Sequence, residues 1–217
     1  MHAGKALATM ATWLALALLP GQAWATAQAM DRIVIDGESR GLQTNPLTPY
    51  LRAVEWKAPE NAVSSSANWR GYLATWAIAD GRLVLTDVTV DVFEDKKIKE
   101  VSILDQLFPD GGPVVAHWYT GALVVAEGGL RSYQHMGYGS TFERYQLLRI
   151  QDGVVLEHLR LSGEQFDEYK AAKWKAYQGT DHYVAARAEL EESGHDWSEE
   201  MLDDFMQGFH AEHYLNQ

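Results

Sequence analysis

YLATWAIADGRLVL, residues 72–85, has the pattern of a β-hairpin. Its apolar side chains recur at every second position before Asp80-Gly81, the period of a strand with one buried face. An Asp-Gly pair between two such runs predicts a type I′ turn, because glycine takes the positive φ that this turn needs. Beyond Thr86 the apolar phase slips by one residue, which predicts a β-bulge near Thr86-Asp87.

Three further glycine turns interrupt β-rich runs on both sides of this hairpin. They are Asp36-Gly37, residues 127–129 (EGG) and Asp152-Gly153. The intervals between them are unequal, which argues against a solenoid or a propeller. Successive hairpins favour an antiparallel β meander, either a curled sheet or a partly closed barrel.

Two segments interrupt this β pattern. Residues 45–66 contain three prolines and a run of three serines, and we expect a long surface connection there. Residues 94–108, EDKKIKEVSILDQLF, place apolar side chains at roughly helical spacing. We therefore predict a short amphipathic helix that crosses the sheet, with Asp95 as its N-cap.

After Leu161 the pattern becomes helical. Ser162 and Gln165 have the spacing of a capping box, a second helix is expected over residues 181–193, and Asp196 is expected to cap a third. The fold class is therefore α+β, with a β-rich domain over residues 26–161 and an acidic helical segment over residues 162–217. We expect this segment to pack on itself or on the β domain.

Residues 1–25 have the pattern of a cleaved signal peptide. A lysine precedes a short apolar run, Pro20-Gly21 interrupts it, and Ala23-Trp24-Ala25 matches a cleavage site. We therefore expect a bacterial protein that is periplasmic or secreted, without a membrane span in the mature chain. The chain has no cysteine, which excludes disulfides, thiolate metal sites and a cysteine nucleophile.

The net charge of −12 is concentrated near the C-terminus. Residues 162–217 hold 13 acidic and 4 basic side chains, a net charge of −9. Such a surface repels phosphate backbones, so we do not expect nucleic-acid binding. It favours solubility, or attraction to a cationic partner.

Residues 133–145, YQHMGYGSTFERY, form the most distinctive polar stretch. They lack the lysine and following helix of a phosphate-binding loop, and they contain no Gly-x-Ser-x-Gly nucleophile motif. We favour a simple connection between two strands. The alternatives are a ligand-binding rim built from Tyr133, His135, Tyr138 and Arg144, or catalysis by His135 with Glu143.

Trp118 and Tyr119 are a second candidate binding site, because adjacent residues of a strand point to opposite faces and at most one of them is buried. His210 and His213 lie three residues apart on a predicted helix. The usual tight zinc signatures are missing, so we expect neither a metal nor a cofactor.

The favoured function is a non-enzymatic exported binding module that presents an aromatic-lined sheet or loop rim to a polymer, peptide or protein. One alternative is a hydrolase that uses His135 or His117 with Glu143. Another is an acidic inhibitor or immunity-like partner of a cationic exported protein, which the helical segment's charge suggests.

Overall fold

A computed structural model describes residues 28–134, 138–192 and 198–217 and shows a mixed α+β fold. The predicted signal peptide lies outside these residues. The strands within them are β1 (Asp31–Ile35), β2 (Glu38–Leu42), β3 (Leu73–Ala79), β4 (Arg82–Glu94), β5 (Lys97–Ser102), β6 (Val114–Val115), β7 (Gly121–Ser132), β8 (Thr141–Gln151) and β9 (Val154–Ser162). The helices are α1 (Thr48–Ala53), α2 (Leu104–Leu107), α3 (Gly163–Tyr177), α4 (Asp181–Glu192), α5 (Glu199–Phe209) and α6 (Ala211–Tyr214).

The strands form one curled sheet in the order β3-β1-β2-β7-β8-β9-β4-β5, with β6 beside β4. β3 also pairs with β4, so the sheet is partly ring-like. It is not a closed barrel, because β4 and β9 meet at a single residue pair, Arg82 and Val154. The pairs are antiparallel except for β1 with β3. The predicted α+β class with a curled sheet is confirmed.

The hairpin of residues 72–85 forms as predicted. Asp80 and Gly81 have φ angles of 50° and 69° between β3 and β4, as a type I′ turn requires. Thr75 pairs with Asp87 and Trp76 with Leu85. Thr86 is therefore the extra residue of the expected bulge, and its insertion keeps the apolar residues of both halves of β4 in the core.

Two local predictions are wrong. Of the helix predicted over residues 94–108, only Leu104–Leu107 is helical, as α2. Residues 97–102 form β5 instead, because Asp95 and Lys96 take positive φ angles and turn the chain back along the free edge of β4. The glycines of residues 127–129 do not end a strand, since β7 continues through them with a bulge. The connection from β7 to β8 instead lies between Ser132 and Thr141, in the stretch for which we favoured a connection between two strands.

The C-terminal helices follow the predicted pattern closely. The Ser162 side chain accepts a hydrogen bond from the Gln165 backbone, and Gln165 completes a capping box at the start of α3. α5 is capped by Ser198, which accepts from Met201 N–H. The predicted cap, Asp196, lies outside the described residues.

The sheet separates two apolar cores. The inner core lies within the curl and includes Ile33, Leu42 and Trp76. The outer core lies between β7–β9 and the helices, where Tyr145 of β8 stacks on Phe166 of α3 at 4.1 Å between ring centroids. The helical segment therefore packs on the sheet. In the described ranges, no helix has the length and apolar character that a membrane-spanning helix needs.

Candidate functional site

A polar groove opens where β2 and β7 separate. The two strands pair at Gly41 with Ala126 and at Leu42 with Val125, and their pairing ends there. Beyond this point lies an open depression of about 630 Å³. Its lining comes from the β1–β2 hairpin and from β7, β8 and β9. The residues are Asp36, Glu38, Ser39, Arg40, Ala126, Glu127, Gly128, Arg144, Gln146 and Arg160.

The floor of the groove continues the inner face of the sheet. Because side chains alternate along a strand, the residue two positions beyond an inner-core residue also points inward. On three neighbouring strands this step replaces an apolar side chain of the core by a polar one, although the change comes two residues earlier in register on β8, where Gln146 lies opposite Val125. The pairs are Leu42 and Arg40 on β2, Val125 and Glu127 on β7, and Leu148 and Gln146 on β8.

These polar side chains form one hydrogen-bonded network. Arg40 Nε forms an ion pair with Glu127, and both side chains are less than a fifth exposed. Gln146, which is 1 % exposed, donates to Glu127 through its amide nitrogen. Its amide oxygen contacts His158 Nε2 from β9. Burial, followed by the positive charge of Arg160, lowers the pKa of His158, which favours its neutral form.

Two arginines at the rim have guanidinium groups that are available to a ligand. Arg144 is 61 % exposed, and its nearest carboxylate partner, Glu143, is 3.8 Å away. Arg160 pairs with Asp36 at 3.1 Å, but both side chains are about two-thirds exposed or more. Exposed pairs of this kind contribute only about 0–1 kcal/mol. Exchanging them for an anionic ligand therefore costs little.

Gly128 allows Arg144 to lie across β7. Its φ angle is +77°, and a Cβ atom there would stand 2.7 Å from Glu143 Oε2 and 3.3 Å from an Arg144 guanidinium nitrogen. A larger residue at position 128 would therefore strain the backbone and displace both side chains. The glycine thus has a role in shaping the groove.

A second polar cluster lies at the opposite end of β1 and β2. Asp31 is fully buried and pairs with Arg70 at 3.0 Å. Asp31 also accepts from Ala74 N–H, and Arg70 donates to Asn45 Oδ1. Burial raises the pKa of Asp31, and the guanidinium of Arg70 opposes this rise. Tyr138 donates to the same Asn45 oxygen at 2.8 Å, which attaches the β7–β8 connection to this cluster.

Glu212 of α6 joins the helices to this cluster. Its Oε1 accepts from the backbone N–H of Asn45, and its Oε2 lies 3.4 Å from the Tyr119 hydroxyl. Burial raises the pKa of Glu212 to about 7, although the Asn45 N–H favours the charged form. The cluster is closely packed and its two carboxylates are paired with Arg70 and with the Asn45 N–H, although Arg70 Nε is buried without a hydrogen-bond partner. We assign the cluster a structural role.

The predicted aromatic pair is not an open binding surface. Tyr119 is 2 % exposed and its hydroxyl donates to Ala122 O. Trp118 is half-buried and its Nε1–H donates to Pro46 O. The centroid of its ring lies 5.6 Å from that of Phe108. Opposite orientations were expected for the two rings, but local packing covers both of them.

The predicted rim residues lie in different surroundings. Tyr133 is 49 % exposed, Tyr138 is half-buried against Asn45, and Arg144 lines the groove. His135 lies outside the described residues. Among the predicted site residues that the structure describes, Arg144 alone contributes to the groove.

The second histidine of the hydrolase hypothesis is far from its proposed partner. The His117 backbone lies beside Gly153, just beyond the end of β8. Glu143 lies near the start of that strand, eight residues before Gln151, which corresponds to about 26 Å of extended chain. Glu143 accepts a hydrogen bond from Gly129 N–H. His117 and Glu143 therefore share no site.

The two C-terminal histidines lie close together, with 5.9 Å between ring centroids. The described residues contain no group of three side chains that could hold a metal ion. Partial burial lowers the pKa of both His210 and His213, and His213 remains exposed to solvent.

Sequence reasoning missed most of the groove. Arg40, Glu127, Gln146 and Arg160 are scattered over 121 positions and belong to four strands. One signal was present, because Glu127 and Gln146 interrupt apolar runs at positions that should face the core. The pattern did not show that the side chains of Glu127 and Gln146 meet in one hydrogen-bonded network.

Comparisons with known proteins add no functional information. A scan against protein-family models found no match to this chain. Searches of curated proteins and of solved structures also found no match.

Proposed function

We propose that this chain is an exported, non-enzymatic binding module, and that its binding site is the groove between β2 and β7. The ligand is a polar molecule with at least one anionic group. The observation that carries this proposal is the change of the inner sheet face from apolar to polar on three neighbouring strands at one end of the curl. An interior selected only for stability would continue the apolar core there.

The energetics of Arg40 and Glu127 support a functional role for the groove. Burying an ion pair costs desolvation energy that the attraction between the charges often fails to offset. This pair instead fixes the geometry of the floor, because Glu127 also accepts from Gln146. Floors of convergent, satisfied polar groups are typical of ligand sites, where they set orientation and specificity.

The chemistry of the groove favours binding over catalysis. The floor histidine, His158, is held by Gln146, and the nearby carboxylate of Glu127 is paired with Arg40. A general base must be free to accept a proton from the substrate. The groups that are free to change partners are the guanidinium groups of Arg144 and Arg160, which bind anions and do not titrate near neutral pH.

The proposal is tested by titrating the labelled protein with succinate and with inorganic phosphate at constant ionic strength, followed by NMR. We expect saturable shifts confined to the groove. The variant R144A/R160A should weaken binding of the better probe by at least about tenfold, the value of one lost charge-assisted contact.

The matched control is R32A/R52A, which also removes two positive charges, but from exposed positions on β1 and α1. It should bind as the wild type does. The proposal would be refuted if both double variants lost the same factor in affinity, or if no saturable shifts appeared at the residues of the groove.

A further inference from the structure

The groove is bordered by a strand edge with unused hydrogen-bonding groups. In an antiparallel sheet, successive residues direct their backbone N–H and C=O groups to alternate neighbours. Gln43 N–H donates to Val124 O across the β2–β7 boundary. Gly41 and Ser39 therefore direct their backbone groups to the same side. β7 no longer pairs with β2 at Ser39. The backbone N–H and C=O of Ser39 therefore point into the groove.

The other edge of β2 is fully occupied. Each of its five residues is in register with a residue of β1, from Asp31 with Leu42 to Ile35 with Glu38. β2 is thus a strand that is supported on one side and open on the other for its first residues. Such edges bind extended peptides by adding them as a further strand.

The charges beside this edge select for a carboxylate. Arg160 lies opposite Gln146 in the β8–β9 register, and Arg144 is two residues from Gln146 on β8. Diagonal neighbours of this kind have Cβ atoms about 7 Å apart. Two arginine side chains with Cβ atoms this far apart can bring their guanidinium groups to the two sides of a carboxylate, each binding it through charge-assisted hydrogen bonds.

From this geometry we infer that the ligand is an extended peptide segment that pairs with the open edge of β2 and places a carboxylate between Arg144 and Arg160. This inference rests on the proposed function and specifies its ligand class. Backbone hydrogen bonds to Ser39 provide affinity for any sequence, and the two arginines select a C-terminal or side-chain carboxylate.

The test compares peptides with the small anion. The probes are a pool of acetylated pentapeptides of mixed sequence that end in aspartate, and succinate, which has two carboxylates but no peptide backbone. We expect the peptide pool to bind at least about tenfold more tightly than succinate, since it adds backbone hydrogen bonds worth about 0.5–1.5 kcal/mol each.

Backbone pairing is tested by two further pools, N-methylated at the odd or at the even amides. A paired strand presents alternate amides to β2, so at least one methylated pool should lose about tenfold in affinity. Retention of full affinity by both pools would overturn the inference.

The variant S39P provides the matching change in the protein. Because the Ser39 N–H points away from β1, proline there removes no hydrogen bond of the β1–β2 pair, and edge strands tolerate proline. An unchanged urea midpoint confirms the fold, and peptide affinity should fall by a larger factor than succinate affinity. If succinate and the peptides bind with equal affinity, and R144A/R160A loses both affinities, the inference of a peptide ligand is refuted while the proposed function stands. No binding of either would refute both.

Discussion

The protonation of Glu212 is linked to the packing of the helices on the sheet. Tyr119 has one hydroxyl hydrogen, and it donates this hydrogen to Ala122 O at 2.9 Å, because a carbonyl can only accept. The same hydroxyl lies 3.4 Å from Glu212 Oε2, so the contact that it donates to Glu212 is the weaker of the two and favours the charged carboxylate less than burial disfavours it. The other oxygen of Glu212 accepts from Asn45 N–H in either state.

The pH dependence of stability follows from this pKa. Burial raises the pKa of Glu212 to about 7 in the folded chain, from an ordinary value of 4.5. Between these two values the folded state holds a proton that the unfolded state has lost. The free energy of unfolding therefore decreases as the pH rises from about 4.5 to about 7, and this contribution is constant above that range.

We predict that Glu212→Gln stabilises the protein by about 1–2 kcal/mol at pH 8 and leaves it nearly unchanged at pH 4.5. A glutamine reproduces the hydrogen bonds of the protonated acid without its charge. Urea unfolding at the two pH values measures the difference. The control Glu168→Gln removes one exposed charge from α3 and should show little dependence on pH. A stabilisation by Glu212→Gln of the same size at both pH values would contradict the assignment.

Asp31 and Arg70 form the most deeply buried ion pair of the described residues. Their side chains are 0 % and 4 % exposed. We predict that Asp31→Asn destabilises the fold by about 3–5 kcal/mol, because it leaves the Arg70 charge buried without its partner. Removing both charges in D31N/R70M should cost less than the sum of the two single changes. Urea midpoints of the four proteins give the coupling energy, and strict additivity would show that the pair is not coupled.

At the scale of single elements, the capping box of α3 offers a direct test. Ser162 accepts from Gln165 N–H at 3.2 Å, and Gln165 Oε1 accepts from Ser162 N–H at 2.9 Å. We predict that Ser162→Ala lowers the free energy of unfolding by about 1 kcal/mol. The control Ser64→Ala, in the exposed connection before β3, should change it by less than about 0.5 kcal/mol. Equal effects of the two changes would indicate that the cap contributes nothing.

Elements with strong local signals were predictable, and those without them were not. Asp80-Gly81 produces its turn because the glycine takes the required positive φ without a steric cost. The helical spacing in residues 94–108 had no such constraint. There the open edge of β4 offered a ladder of backbone hydrogen bonds, which an isolated short helix in water does not match.

The glycines of residues 127–129 illustrate the same limit. Gly128 has a positive φ, as the sequence suggested, but a positive φ fits a bulge as well as a turn. Pairing of β7 with β8 on both sides of the bulge decides between the two. Those partners lie more than ten residues away along the chain, so the local sequence does not contain the information.

For the whole molecule, the outer core couples the helices to the sheet. Trp174 of α3 is 8 % exposed and packs on Tyr177 and on Tyr214 of α6. We predict that Trp174→Ala costs about 3–5 kcal/mol and leaves a single transition, coincident by far- and near-ultraviolet circular dichroism. The control Trp69→Ala, at a position that is 63 % exposed, should cost less than about 0.5 kcal/mol. Separate transitions for helices and sheet would contradict this coupling.

The fold class of this protein could be predicted from the chain alone, because strand alternation, Asp-Gly turns and helix caps act over a few residues. The groove could not. Its floor joins Arg40, Glu127 and Gln146 from three strands, and its opening depends on where the pairing of β2 and β7 stops. Curvature and register arise from packing between distant segments, and they place in one site side chains that no local pattern connects.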